Sequence, residues 1–157
     1  MLADVVDGPD GDDWSVRPNQ VFAASLPFAL VEGKTARRML TAVGRELCTS
    51  HGLRSLSPKD LTYRGQIVGD QTARDGAYHQ GTVWAWLIGP YAEAHFRAFG
   101  DREEARALLK PFAAHLLDAG LGSISEIFDG DPPHTPRGAT AQAWSVAEVL
   151  RVWRLLR

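Results

Sequence analysis

The sequence predicts an all-α fold, on three observations. Apolar residues recur at helical spacing over several long stretches. Gly, Pro and Asp punctuate the chain where those stretches begin and end. No run of alternating apolar and polar residues is long enough to mark a strand. About five helices fit into the 157 residues, enough for one domain, 1–157, with a buried core.

Taken in order, residues 1–18 are acidic and rich in Gly and Pro, through Asp7-Gly8-Pro9-Asp10-Gly11-Asp12-Asp13, and read as loop. A short helix follows from Asn19 towards Pro27. Between Lys34 and Cys48, the residues Ala36, Met39, Leu40, Val43 and Leu47 share one helical face. Residues 50–77 hold turn signals at His51-Gly52, Ser57-Pro58 and Arg64-Gly65 and no clear period. A loop of that length in a compact domain is commonly functional. The next helix runs from about His79 to Phe99, apolar over much of its circumference and stopped by Gly100. Asp101 with Glu104 reads as the capped start of another, which buries Ala105, Leu108, Leu109, Phe112, Leu116 and Leu117. Pro111 kinks that helix and Gly120 and Gly122 end it. A last helix spans about Thr140 to Leu156, with Glu148, Arg151, Arg154 and Arg157 on a solvated face and Trp144 and Trp153 in the core.

Composition narrows the function. The chain is 45% hydrophobic and 23% charged, with net charge −2 and both signs interspersed, so nothing marks a nucleic-acid or membrane surface. No apolar run approaches the ~20 residues that cross a bilayer. The first residues lack the basic and apolar segments of a signal peptide. One cysteine, Cys48, excludes an internal disulfide, fits a reducing cytoplasm and reads as a small buried group. The histidines show no zinc-like spacing, and Asp4, Asp7, Asp10, Asp12 and Asp13 do not match a calcium-binding loop, so no metal site is expected.

Two stretches carry chemistry. Gly122-Ser-Ile-Ser-Glu126-Ile-Phe-Asp129-Gly130-Asp131 places carboxylates in a Gly- and Ser-bounded loop, a common seat for general acid/base work. Arg74-Asp75-Gly76-Ala77-Tyr78-His79-Gln80-Gly81-Thr82-Val83-Trp84-Ala85-Trp86 mixes hydrogen-bonding groups with flat aromatic rings, the materials of a sugar subsite. Together they point to carbohydrate chemistry.

These segments, with Asp4-Val-Val-Asp-Gly-Pro-Asp-Gly-Asp12, Arg17-Pro-Asn-Gln20, Gly69-Asp-Gln71, Pro132-Pro-His134 and Ala141-Gln-Ala-Trp-Ser-Val-Ala-Glu148, keep their order along nearly the whole chain. The sequence resembles the C-terminal part of the amylo-α-1,6-glucosidase domain of glycogen debranching enzymes. The resemblance implies part of an (α/α)6 barrel of the six-hairpin glycosidase type. It also implies hydrolysis, with inversion, of α-1,6-linked glucose stubs on a glycogen or limit-dextrin type α-glucan, with no cofactor and no metal. Inversion takes two carboxyl groups about 6.5–9.5 Å apart, an acid for the leaving oxygen and a base for the attacking water.

By the same resemblance Glu126 is the base. The family's general acid lies upstream of this stretch and no motif here matches it, so the sequence reads as the base-bearing segment of a partial domain. Asp75 contacts glucose hydroxyls, or holds Arg74 and caps the helix expected from His79, and His79, Gln80 and Tyr78 stand where side chains reach a barrel mouth. Of Trp84 and Trp86 at most one faces sugar, and Trp84 is the candidate. Arg17 and Asn19 bind substrate or cap the short helix, and Asp129 binds sugar or holds its turn. Two other readings stand beside this one: a non-catalytic carbohydrate-binding or assembly fragment, and another α-glucosidase of the same barrel type. Uncovered apolar faces on the helices at 79–99 and 140–156 predict self-association, or a partner supplying the N-terminal barrel half.

Overall fold

The computed structural model describes residues 1–157 and departs from the all-α expectation: two antiparallel sheets accompany the helices, so the fold is mixed α/β. The acidic N-terminal stretch is a hairpin, β1 (Val5–Gly8) and β2 (Gly11–Asp13), where a loop was expected. A five-stranded sheet then gathers short segments from most of the chain. Its order is β3 (Cys48–Thr49), β4 (Gly52–Arg54), β5 (Val83–Trp84), β6 (Ile127–Phe128) and β7 (Pro136–Arg137). Strands of two or three residues are too short to show a two-residue period, which is why the pattern hid them. An all-α barrel segment is therefore not what this chain forms.

The helices are α1 (Phe22–Ser25), α2 (Gly33–Leu47), α3 (Gln71–Ala77), α4 (Ile88–Phe99), α5 (Arg102–Ala107), α6 (Lys110–His115) and α7 (Ala143–Leu155). The buried side of α2 contains the stripe read from sequence, Ala36, Met39, Leu40, Val43 and Leu47, with Glu46 buried beside it. It lies so close to α4 that a Cβ on Gly44 would strike the Tyr91 hydroxyl. The helix expected from His79 is the largest misplacement. Residues 78–82 turn, Val83–Trp84 pair as β5, a 3-10 turn covers Ala85–Leu87, and only Ile88 starts the helix. Its end at Gly100, with φ 77°, is as expected.

Asp101 caps α5 by accepting the Glu104 N–H at 2.8 Å, again as expected. Pro111 stands in the first turn of α6 rather than in a kink, because the chain breaks at Leu108–Leu109 and proline is tolerated where no N–H is needed. Sheet residues Leu53, Val83, Ile127 and Phe128 join α2 and α4 in one core. Trp144 and Trp153 of α7 stay 44% and 41% exposed, not buried. The buried stripe of α7 is Ser145 and Val152, continued by Leu156, and Trp144 lies one position off it. No helix is long and apolar enough to cross a membrane.

Candidate functional site

Glu126 sits at the entrance of β6, directly before Ile127, so its backbone is fixed by the sheet rather than by a loop. Its N–H donates to Ala139 O at 2.9 Å and its carbonyl accepts the Ala85 N–H at 3.4 Å. Both carboxylate oxygens have donors. The Tyr78 hydroxyl donates to Oε1 in a short hydrogen bond, and the Ala139 N–H donates to Oε2 at 2.9 Å. Burial, and then the Glu126 carboxylate itself, push the Tyr78 phenol up to about 12, so at neutral pH it stays protonated and remains a donor. Gly138, φ 66°, faces the same carboxylate, and any Cβ there would land on Glu126 Oε2.

Tyr78 links the carboxylate to an aromatic wall. Its ring meets Trp84 edge-on at 4.8 Å, and its carbonyl accepts the Trp84 indole N–H at 3.2 Å. His79 stacks on Trp84 at 5.2 Å, with the two planes 5° apart. Trp144 meets the edge of Trp84 at 5.9 Å and stacks on Trp86 at 5.6 Å. The rings of His79, Trp84, Trp86 and Trp144 line an open cavity of about 540 Å³, within the size range of small-ligand sites. Its remaining wall is polar: Arg17, Asn19, Gln80, Asp4, Asp13 and Ser55.

Arg17 orders that wall. Its guanidinium donates to Ser55 O at 3.1 Å, His79 O at 2.8 Å and Gln80 Oε1 at 2.9 Å, and lies 3.6 Å from Asp4 Oδ2. Asn19 donates to Asp4 Oδ1 at 3.2 Å. Neither residue caps a helix with its side chain, one of the alternatives the sequence left open. The Asp13 carboxyl is held below the usual carboxylate range by hydrogen bonds from Ser15.

The structure thus brings Arg17, Asn19, His79, Gln80 and Trp84 to one cavity. Tyr78 and Glu126 adjoin it through Trp84. Two candidates lie elsewhere. Asp75 is exposed on α3 and forms no part of the cavity wall, and no helix starts at His79 for it to cap, since the next one begins at Ile88. Asp129 is buried in β6's far turn. Its Oδ1 accepts the Ile67 N–H at 2.9 Å, and both oxygens receive Arg137, at 2.9 Å from Nη2 to Oδ2. No group of three or more His, Cys, Asp and Glu side chains is placed to hold a metal ion.

A family model described as amylo-alpha-1,6-glucosidase matches residues 1–151. The chain belongs to the amylo-alpha-1,6-glucosidase family. The glycogen debranching enzyme of Saccharomyces cerevisiae is 31% identical over 166 aligned residues, which cover 91% of this chain and 11% of the yeast protein. The chain therefore spans a small part of its relative's length.

For this amylo-alpha-1,6-glucosidase chain, sequence reasoning passed over Trp86 and Trp144. Trp144 was assigned to core and Trp86 was set aside in favour of Trp84, yet both line the cavity. A signal existed for Trp144: the stripe through Ser145 and Val152 leaves it at the margin of the buried face. No comparable signal marked Trp86, because the 3-10 turn that aims it interrupts the expected helix.

Proposed function

We propose that this chain carries the base and part of the glucose subsite of an α-1,6-glucosidase that removes single-glucose stubs from a glycogen-type α-glucan with inversion. The observation that supports it is the seating of Glu126. A carboxylate whose oxygens accept a phenol O–H and a backbone N–H is held in one orientation, as a general base must be. Water attacks the anomeric carbon opposite the leaving oxygen, and Glu126 takes its proton as the new C–O bond forms. The glycosidic bond breaks with its electron pair on the leaving oxygen, which a general acid protonates. Trp84 and Trp144 offer apolar faces to the sugar, while Arg17, Asn19, His79 and Gln80 meet its hydroxyls.

The acid comes from outside this chain. Of the carboxylates on the cavity wall, Asp4 is taken up by Arg17 and Asn19, and hydrogen bonds from Ser15 hold the Asp13 carboxyl below the usual range. The exposed apolar side chains of α7, among them Leu150 and Trp153, are the surface for the partner segment or a second copy. A cytoplasmic location follows from a glycogen substrate. The lack of an acid on the wall also favours a second reading, carbohydrate binding without catalysis.

Glucose release from limit dextrin bearing exposed stubs, measured for the parent and Glu126→Gln, separates the two. Release of β-glucose that collapses by at least ~100-fold in the variant supports the base, since general base groups contribute about 10²–10⁴-fold. Equal rates would overturn it. Maltooligosaccharide binding that weakens in Trp144→Ala, with no turnover in any form, would leave binding alone.

A further inference from the structure

His115 closes α6, is buried at 3% exposed, and forms no part of the cavity wall described above. Its Nε2 accepts the N–H of Ser125 at 3.1 Å. Ser125 is itself 1% exposed and immediately precedes Glu126. A backbone donor buried there has no water to turn to, so the imidazole is its acceptor. The ring is wedged in place, with Phe128 edge-on at 4.9 Å and His51 at 5.6 Å, and His51 in turn stacks on Phe128 at 4.5 Å. The Ile124–Ser125 peptide, one unit before the peptide that enters Glu126, is thus tied to the helical layer by one side chain. The residue itself is tied to the 136–139 segment through the Ala139 carbonyl and N–H.

We propose that His115 is a positioning residue for Glu126: by accepting the Ser125 N–H, it fixes the Ile124–Ser125 peptide, and with it the Ser125 backbone from which Glu126 leads into β6. The proposal rests on the reading of Glu126 as general base, since only then does its aim bear on the reaction. The role requires a neutral ring protonated on Nδ1, because a protonated Nε2 would point a donor at a donor. The surroundings keep it so. Burial holds His115 below the ordinary imidazole value against the opposing pull of Asp118, which follows α6. His51, in the β3–β4 turn, is the titratable group that faces it across the core and is itself neutral. The other neighbours in the pocket, Phe128 and Ser125, carry no charge.

Two variants separate the hydrogen bond from the packing. His115→Phe keeps a ring against Phe128 and His51 but has no acceptor. His115→Gln carries a carbonyl oxygen near the position of Nε2. Amide hydrogen exchange reads the effect without any turnover, since the Ala139 N–H is held by Glu126 Oε2 and so reports the carboxylate's orientation. In His115→Phe, exchange at both Ser125 and Ala139 is expected to quicken by roughly tenfold, the scale of one lost buried hydrogen bond. His115→Gln restores both. In the parent the Ala139 protection falls on acidification below neutral pH, and in His115→Gln it does not.

Quickened exchange at Ser125 with Ala139 unchanged would overturn the proposal, as would a Gln variant indistinguishable from Phe. With glucose release as readout, His115→Phe lowers kcat with KM unchanged. A rise in KM alone would also count against it. Should Glu126→Gln release glucose as fast as the parent, the base assignment fails, while the exchange result still decides whether His115 orients that carboxylate.

Discussion

Replacing Asp129 with Asn removes one charge and one acceptor from a junction that ties β6, β7 and the Gly65–Ile67 segment together. The aspartate accepts four hydrogen-bond contacts, one from the Ile67 N–H and three from Arg137. Asparagine has a single oxygen, and its amide turns a donor towards whichever partner that oxygen does not serve. The partners differ in what they do next. Arg137 is 36% exposed, so water takes up its guanidinium, and the lost ion pair costs at most about 1 kcal/mol. Ile67 is only 8% exposed, and an orphaned buried N–H costs about 1–3 kcal/mol. The sum is about 3 kcal/mol. With a urea m-value of about 2 kcal/mol/M, the unfolding midpoint falls by about 1.5 M. Arg137→Gln, which leaves the carboxylate to hold Ile67, is expected to cost only about 1 kcal/mol. A midpoint shift below about 0.3 M for Asp129→Asn, together with lost maltooligosaccharide binding, would refute the reasoning and give Asp129 to the sugar.

Three other outcomes are expected. Gly138→Ala strains a backbone at φ 66° and drives a methyl onto Glu126 Oε2, so glucose release falls by more than tenfold while the urea midpoint drops by only about 0.5–1 M; equal rates would disprove the contact's importance. Acidification destabilises the fold through His51: burial, then His115 and His134, hold it down to about 4, so the unfolded chain takes up the proton first. Its stabilising effect is complete above about pH 6.5 and is lost on the way down to 4, by about 1–2 kcal/mol once solvent screening of the half-buried ring is allowed for. Urea midpoints that stay level between pH 7 and 4.5 would contradict this. Finally, sedimentation should show concentration-dependent association that Leu150→Lys weakens, because Leu150, Trp153 and Leu155 of α7 are 52%, 41% and 44% exposed; a monomer at several hundred micromolar would refute it.

Several parts of this structure were legible in the sequence for physical reasons. The α2 stripe through Met39, Leu40 and Val43 is long enough to reveal its period, and Asp101 announces a helix start by capping chemistry alone. The cavity residues Arg17, Asn19, His79, Gln80 and Trp84 were reached through their types and the order of their segments. What stayed hidden depends on long-range pairing. Val83 and Trp84 sit in an apolar run that reads as helix, and only their partners Arg54, Leu53, Phe128 and Ile127, distant in sequence, make them a strand. The surroundings of Asp129 were hidden likewise, since Ile67 is 62 residues away. Tyr78 was reached as a sugar ligand, but its hold on Glu126 spans 48 residues that no local pattern connects.

The pairing of β5 with β6 places Trp84 opposite Ile127, so the aromatic wall and the carboxylate are neighbours by register. Register is quantised. A strand moves past its partner in whole residues of about 3.3 Å, and a single step turns every side chain to the other face. The spacing between the aromatic wall and the Glu126 carboxylate therefore has no intermediate values to drift through. Damage to the sheet shows itself as fewer correctly assembled molecules, each of them intact, and not as a population of slightly misshapen ones. Titrating the fraction of competent sites, rather than comparing their affinity, is where variants along this seam will differ.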